Sequence, residues 1–159
     1  MLKALREAGN ALLSELYSLD EERLCRRPEE GEWCLKEIAA HMRDAEELAL
    51  RQMQSIAEGA PRLPAWDTDL LPMERDYLSG DAEEILIQFG GLRRQTTELL
   101  WSLDEEQWHE SGHHPYRGEV TIGQVAHELA QHDLEHLWHV RQLKYQLGAV
   151  RVRRDDEWR

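Results

Sequence analysis

The chain has 159 residues, enough for one domain with a sizeable core, and its hydrophobic (41%) and charged (32%) fractions are those of a soluble globular protein. It carries 32 acidic against 19 basic side chains, a formal charge of −13 that repels nucleic acid unless cations cluster locally. No run of about 18 apolar residues is present to span a membrane, and MLKALREAGN reads as the start of an amphipathic helix rather than a secretory leader.

Leu2, Leu5, Leu12, Leu13, Leu16 and Leu19 recur at helical spacing and predict a first helix over 2–19. Pro28 and Gly31 punctuate the chain after it. A second helix is expected from about Glu32, through Ile38, Met42, Ala45, Leu48 and Ala49, to about Ile56. Cys25 and Cys34 form neither a disulfide framework nor a metal motif, which points to a reducing cytoplasm.

Residues 60–80 read as a long connection containing Pro61, Pro64, Pro72 and Gly80. Asp81 is placed to cap a third helix over 82–102, with Glu83 and Glu84 in its first turn. Gly90 and Gly91 weaken that helix by about 1 kcal/mol each and would permit a close helix contact. A second connection, 103–118, has SGHHPYRG at its centre and reads as irregular. A last helix then starts at Thr121 and carries Ile122, Val125, Leu129, His132, His136, Val140, Leu143 and Leu147 before Gly148. Four long helices without alternating strands give an all-α four-helix bundle. Its long connections permit a topology other than up-down-up-down.

His132 and His136 stand one helical turn apart, in line with Val125, Leu129, Val140 and Leu143. Two imidazoles therefore fall on the face expected to be buried, where their nitrogens need partners. His41 occupies the apolar stripe of the second helix, three positions after Ile38. Three histidines from two inward faces can converge on one cation and leave coordination positions free, as in a reactive zinc-type site. The alternative is a set of buried histidines hydrogen-bonded to carboxylates, for which Glu37, Asp44, Glu46, Asp133 and Glu135 are at hand. His139 is a rival ligand that could pair with His136. His127 falls on another face, and His109, His113 and His114 lie in the connection, where they would serve as a lid or substrate contact or else be ordinary loop residues. Trp33, Trp101, Trp108 and Trp138 are expected to fill space between helices or subunits.

EWCLKEIAAHMRDAEEL resembles the W-S-x-x-E-I-x-x-H-x-x-D-x-E segment of the DinB/YfiT-like proteins, with cysteine at position 34 where serine is usual. GEVTIGQVAHELAQHDLEHLWHVRQL is similar to their G-x-x-T-L…H-x-x-x-H ending. The resemblance spans residues 1–148 as a single domain and leaves 149–159 as a polar tail. It implies a bundle holding a divalent metal (nickel, zinc or iron) on His41, His132 and His136, and it implies a homodimer. It also implies, as the leading activity, transfer of a low-molecular-weight thiol such as bacillithiol, mycothiol or glutathione to a small electrophile. Metal-assisted hydrolysis and a non-enzymatic stress or interaction role are the alternatives. An anionic thiol would need Arg117 or Arg43 to offset the acidic field, and Glu46, Asp133 or a water would have to take its proton. No nucleic-acid or membrane partner is expected.

Overall fold

The apolar spacing is realised as four long helices. In the computed structural model, which describes residues 1–67 and 70–148, α1 spans Leu2–Tyr17 and buries Leu5, Ala8, Gly9, Leu12 and Leu16. A short α2, Glu21–Cys25, follows, with the Asp20 side chain accepting from the Arg23 N–H. Helix α3 runs Leu35–Ala57, three residues later than its expected start at Glu32. Cys34 is its N-cap, and the Glu37 carboxylate reaches back to accept from the Cys34 N–H at 3.1 Å.

The next connection contains one turn of helix, α4, at Leu71–Glu74. Asp81 caps α5, Ala82–Ser102, by accepting from the Glu84 N–H at 2.8 Å, as the spacing predicts. After a short α6, Glu105–Trp108, come β1, Ser111–His114, and β2, Gly118–Thr121. Thr121 is both the end of β2 and the N-cap of α7, Ile122–Gln146, where it exchanges capping bonds with Gln124. The polar tail expected at 149–159 lies outside the described residues.

The connection expected to be irregular holds an antiparallel hairpin, paired Ser111↔Thr121 through His114↔Gly118. Strands this short show too little alternation to be read from sequence. The pairing is set by tertiary contacts. A side chain at Gly112 would meet Leu63 at 2.6 Å and Ile56 at 3.0 Å, so only glycine lets β1 lie this close to the end of α3. The Leu63 N–H also donates to the His113 carbonyl at 2.9 Å. Gly118, at φ +77°, turns the chain into β2. Gly90 and Gly91 do not play the close-approach role expected of them: a Cβ on Gly90 would make ordinary contact with Leu13, and one on Gly91 would meet open space.

Helix pairing follows the order α1–α5–α3–α7, closing from α7 back to α1. The diagonals are therefore α1 with α3 and α5 with α7. Two apolar clusters fix the directions. One joins Leu12 and Leu16 of α1 to Ile38, Leu86 and Leu143. The other joins Leu5 to Met53, Leu100 and Val125. Hence α1 and α7 run one way, and α3 and α5 the other. The parallel neighbours α3 and α5 require the chain to travel back along the bundle, which accounts for the long connection between them. Between the two apolar clusters lies a layer of buried polar side chains, and the histidines are at that level.

The tryptophans divide between the two expected roles, and only two of the four fill space between helices. Trp101 is 82% exposed and Trp138 is 66% exposed, whereas Trp33 and Trp108 pack against the two clusters. Among the described residues no helix is long and apolar enough to cross a membrane.

Candidate metal centre

Helix α3 presents His41 and α7 presents His132 and His136 to a common point. His41 and His132 approach to 2.9 Å between their Nε2 atoms. Ring centroids lie 5.0 Å apart for His41–His132, 4.8 Å for His41–His136 and 4.3 Å for His132–His136. Each of the three offers a nitrogen, and these atoms all fall within 4.8 Å of one another. Trp33 stands edge-on to His41 with centroids 5.3 Å apart. His139 is outside the group: it is exposed, with its ring 6.3 Å from that of His136.

Burial first, and then the neighbouring charge of His136 and Arg93, lowers His132 to a pKa of about 4. Burial, followed by His41 and His139, lowers His136 to about 4 as well. Both rings are neutral at pH 7, so each keeps one lone pair. Their Nδ1 atoms are buried with no hydrogen-bond partner. If Nδ1 holds the lone pair, it is an acceptor without a donor. If Nδ1 holds the proton, the Nε2 lone pair turns into the cluster instead. Either tautomer leaves a buried polar atom uncompensated, at a cost of about 1–3 kcal/mol per group. A divalent cation among the rings would take the lone pair that each neutral ring turns into the cluster, so the donor set fits the metal that the resemblance implies.

The folded-state pKa values of these two rings lie below the ordinary 6.5, so the unfolded chain takes up more protons in that interval. Metal-free protein is therefore expected to hold its full share of this stability above pH 6.5 and to lose it as pH falls toward about 4. The loss is on the order of 3 kcal/mol per ring at most. Urea unfolding in the presence of chelator at a series of pH values measures it. A flat profile through this window would contradict the burial of the rings.

Of the carboxylates expected to orient the imidazoles, or to take a proton, Glu135 is exposed and the other four are engaged elsewhere. Glu37 caps α3 and pairs with Arg27. Asp44 accepts from Arg43, Arg75 and Tyr77. Glu46 and Asp133, both fully buried, are bound by Arg93 of α5. Arg93 carries no sequence expectation, yet it is the centre of the buried layer. Its Nε and Nη2 donate to Glu46 at 3.0 and 2.6 Å. Its Nη1 and Nη2 donate to Asp133 at 2.7 and 2.9 Å, and Nη1 also donates to the Leu5 carbonyl at 2.6 Å. Burial disfavours the guanidinium charge, but the hydrogen bonds to Asp133 and Glu46 overcome this and raise its pKa. Of this network, it is the positive charge of Arg93 that acts on His132, and it opposes protonation of that ring.

A cleft of about 300 Å³ opens over His41 and His132. Leu48, Val125 and Leu129 form an apolar wall, and His114 and Arg117 of the hairpin form the opposite side. The expected lid is thus divided: His114 lines the cleft, whereas His113 is exposed and pairs with Glu119. Both terminal nitrogens of Arg117 bind the Glu128 carboxylate, the longer bond being 2.9 Å. Arg43, the other residue considered for an anion, lines a separate groove with Glu47, Arg75 and Gln88. Cys34 is fully buried, and desolvation raises its thiol to about 11, so it is an inert part of the helix start.

The DinB superfamily model matches residues 4–140. A candidate metal-dependent hydrolase of Oceanobacillus iheyensis is 26% identical over 141 residues, covering 88% of this chain and 81% of that protein. YfiT from Bacillus subtilis, described as a candidate metal-dependent hydrolase with an unusual four-helix-bundle topology, superposes with a TM-score of 0.81 at 19% identity, over 92% of this chain and 85% of YfiT. A mycothiol-dependent maleylpyruvate isomerase superposes with a TM-score of 0.71 at 12% identity, over 86% of this chain and 57% of the isomerase. At these identities the two structural likenesses speak for the fold.

Proposed function

Because the chain belongs to the DinB superfamily, we propose that it is a metal-dependent hydrolase of a small molecule, with His41, His132 and His136 as the metal ligands. The observation that carries this reading is the convergence of three imidazoles, their donor atoms within 4.8 Å, two of which, His41 and His132, line a cleft. A divalent cation supplies a Lewis acid there and makes water nucleophilic near neutral pH. Three nitrogen ligands suit zinc, nickel or iron.

The chain's own residues supply the surroundings. Leu48, Val125 and Leu129 give the open cleft an apolar wall, and the Arg93 network ties α3, α5 and α7 together. Neither Glu46 nor Asp133 is free to move a proton, since both are bound by Arg93. The described relatives of Oceanobacillus and Bacillus support hydrolysis ahead of thiol transfer, which reverses the order expected from the sequence.

Thiol transfer is the second reading, supported by the fold shared with the mycothiol-dependent isomerase. Product analysis separates the two. The metal-loaded protein is expected to hydrolyse p-nitrophenyl butyrate or a related small ester equally well with and without bacillithiol, mycothiol or glutathione. A strict thiol requirement with a thiol adduct as product would replace hydrolysis by transfer. A higher melting temperature on metal addition, with no turnover of either kind, would reduce the metal to a stabiliser of the bundle. A homodimer, implied by the family resemblance, is part of this reading, and the exposed Trp101 and Trp138 stand on diagonal helices, so one interface would cover at most one of them.

A further inference from the structure

We propose that His114 is the substrate-orienting residue of the cleft, donating an Nε2–H hydrogen bond to the carbonyl oxygen of a small neutral acyl compound, an ester or amide. This assignment of substrate class rests on the hydrolase reading of the same site.

The hairpin fixes the tautomer. The Tyr116 backbone N–H donates to His114 Nδ1 at 3.2 Å, so Nδ1 must hold the lone pair and a neutral ring must carry its proton on Nε2. Desolvation first, then Arg117, lowers the ring's pKa and keeps it neutral. With the Nδ1 edge turned onto the hairpin turn, the Nε2 edge is what the ring offers to the cleft it lines. Only 9% exposed, His114 is held by packing rather than left mobile on a loop. It lines one cavity with His41 and His132, so an oxygen held by its Nε2–H keeps the substrate above the imidazole cluster.

The cleft also selects by charge. Arg117 is its one described lining cation, and both of its terminal nitrogens are committed to Glu128. No free guanidinium is left to recognise a carboxylate or phosphate, so an anion would be drawn to the cation on the imidazoles and not to His114. A neutral imidazole N–H beside an apolar wall recognises a neutral carbonyl with a short hydrocarbon arm, and about 300 Å³ accommodates one.

The test is a side-chain nitrogen–proton correlation spectrum of zinc-supplemented protein, zinc being diamagnetic, titrated with butyramide and separately with butyrate. The free protein is expected to show His114 protonated at Nε2, and butyramide to shift that resonance at concentrations where butyrate does not. H114A should weaken butyramide binding at least tenfold, and H114Q, whose amide N–H comes close to the Nε2 position, should restore most of it. Protonation at Nδ1, or a response to butyrate alone, would overturn the proposal. Unchanged butyramide binding by folded H114A would do the same. Ester hydrolysis reports separately on the reaction. A butyramide response without turnover leaves the cleft assignment standing and removes the hydrolase. Turnover without a response at His114 does the reverse.

Discussion

R93M is expected to destabilise the protein by about 3–5 kcal/mol, the cost of breaking a buried ion pair by removing one partner. All five N–H donors of Arg93 are used: two on Glu46, two on Asp133 and one on the Leu5 carbonyl. Methionine fills a similar volume but donates nothing, which leaves two carboxylates at 0% exposure without a counter-charge. They respond by taking up protons. Their folded-state pKa values then lie above the unfolded ones, so the variant is penalised most at neutral pH and the gap from the parent narrows on acidification. R93K keeps the charge but offers three donors from a single point, so it should fall between the two. Urea unfolding of the three proteins at pH 5 and pH 7 provides the comparison. A cost in R93M below 1 kcal/mol, or one that does not change with pH, would show that the network does not hold the bundle together. Gly9 belongs to the same device, because a Cβ there would lie 3.0 Å from Arg93 Nη1 and press on the guanidinium.

H132A and H41A are each expected to weaken metal binding by more than about 100-fold, beyond the 10–100-fold typical of losing a residue that only orients a ligand. Each removes one of the three donors while sparing the apolar clusters and the Arg93 network, so the helices should persist by circular dichroism. H139A is the control. Its ring is exposed, 6.3 Å from His136 and not one of the three that converge, so it should retain metal at the parent level. Elemental mass spectrometry of untagged protein purified without chelator, with competitive chelator titration, measures all four proteins. Full metal content in H132A, or equal loss in H139A, would remove His41, His132 and His136 as the ligand set.

Much of the architecture is local, and local signals carried it. The leucines of α1, the Asp81 cap of α5 and the Thr121 cap of α7 specify helices within a few residues of chain, because an i→i+4 ladder and its cap are short-range interactions. His132 and His136 likewise share a face wherever the helix is placed. A trace of the buried network was also present in the sequence. Arg93 interrupts the apolar stripe Ile85–Phe89–Leu100, while Glu46 and Asp133 interrupt those of α3 and α7. One cation and two anions at inward positions on three helices are a recognisable signal of a buried ion network.

Other features depend on residues far apart in the chain. The hairpin exists because Gly112 fits against Ile56 and Leu63, and the strand pattern of SGHH has no meaning without that contact. The separation of His114 from His113, and the commitment of Arg117 to Glu128, follow from the hairpin's position over α7. The sequence by itself determined the helices, their caps and the faces on which the histidines stand, since backbone hydrogen bonding and the 3.6-residue repeat act over one or two turns. Tertiary structure alone decided which faces meet: α1 opposite α3, Arg93 between Glu46 and Asp133, and a cleft walled by a hairpin. Those outcomes depend on burying charge and apolar surface together across long chain separations, which no local spacing encodes.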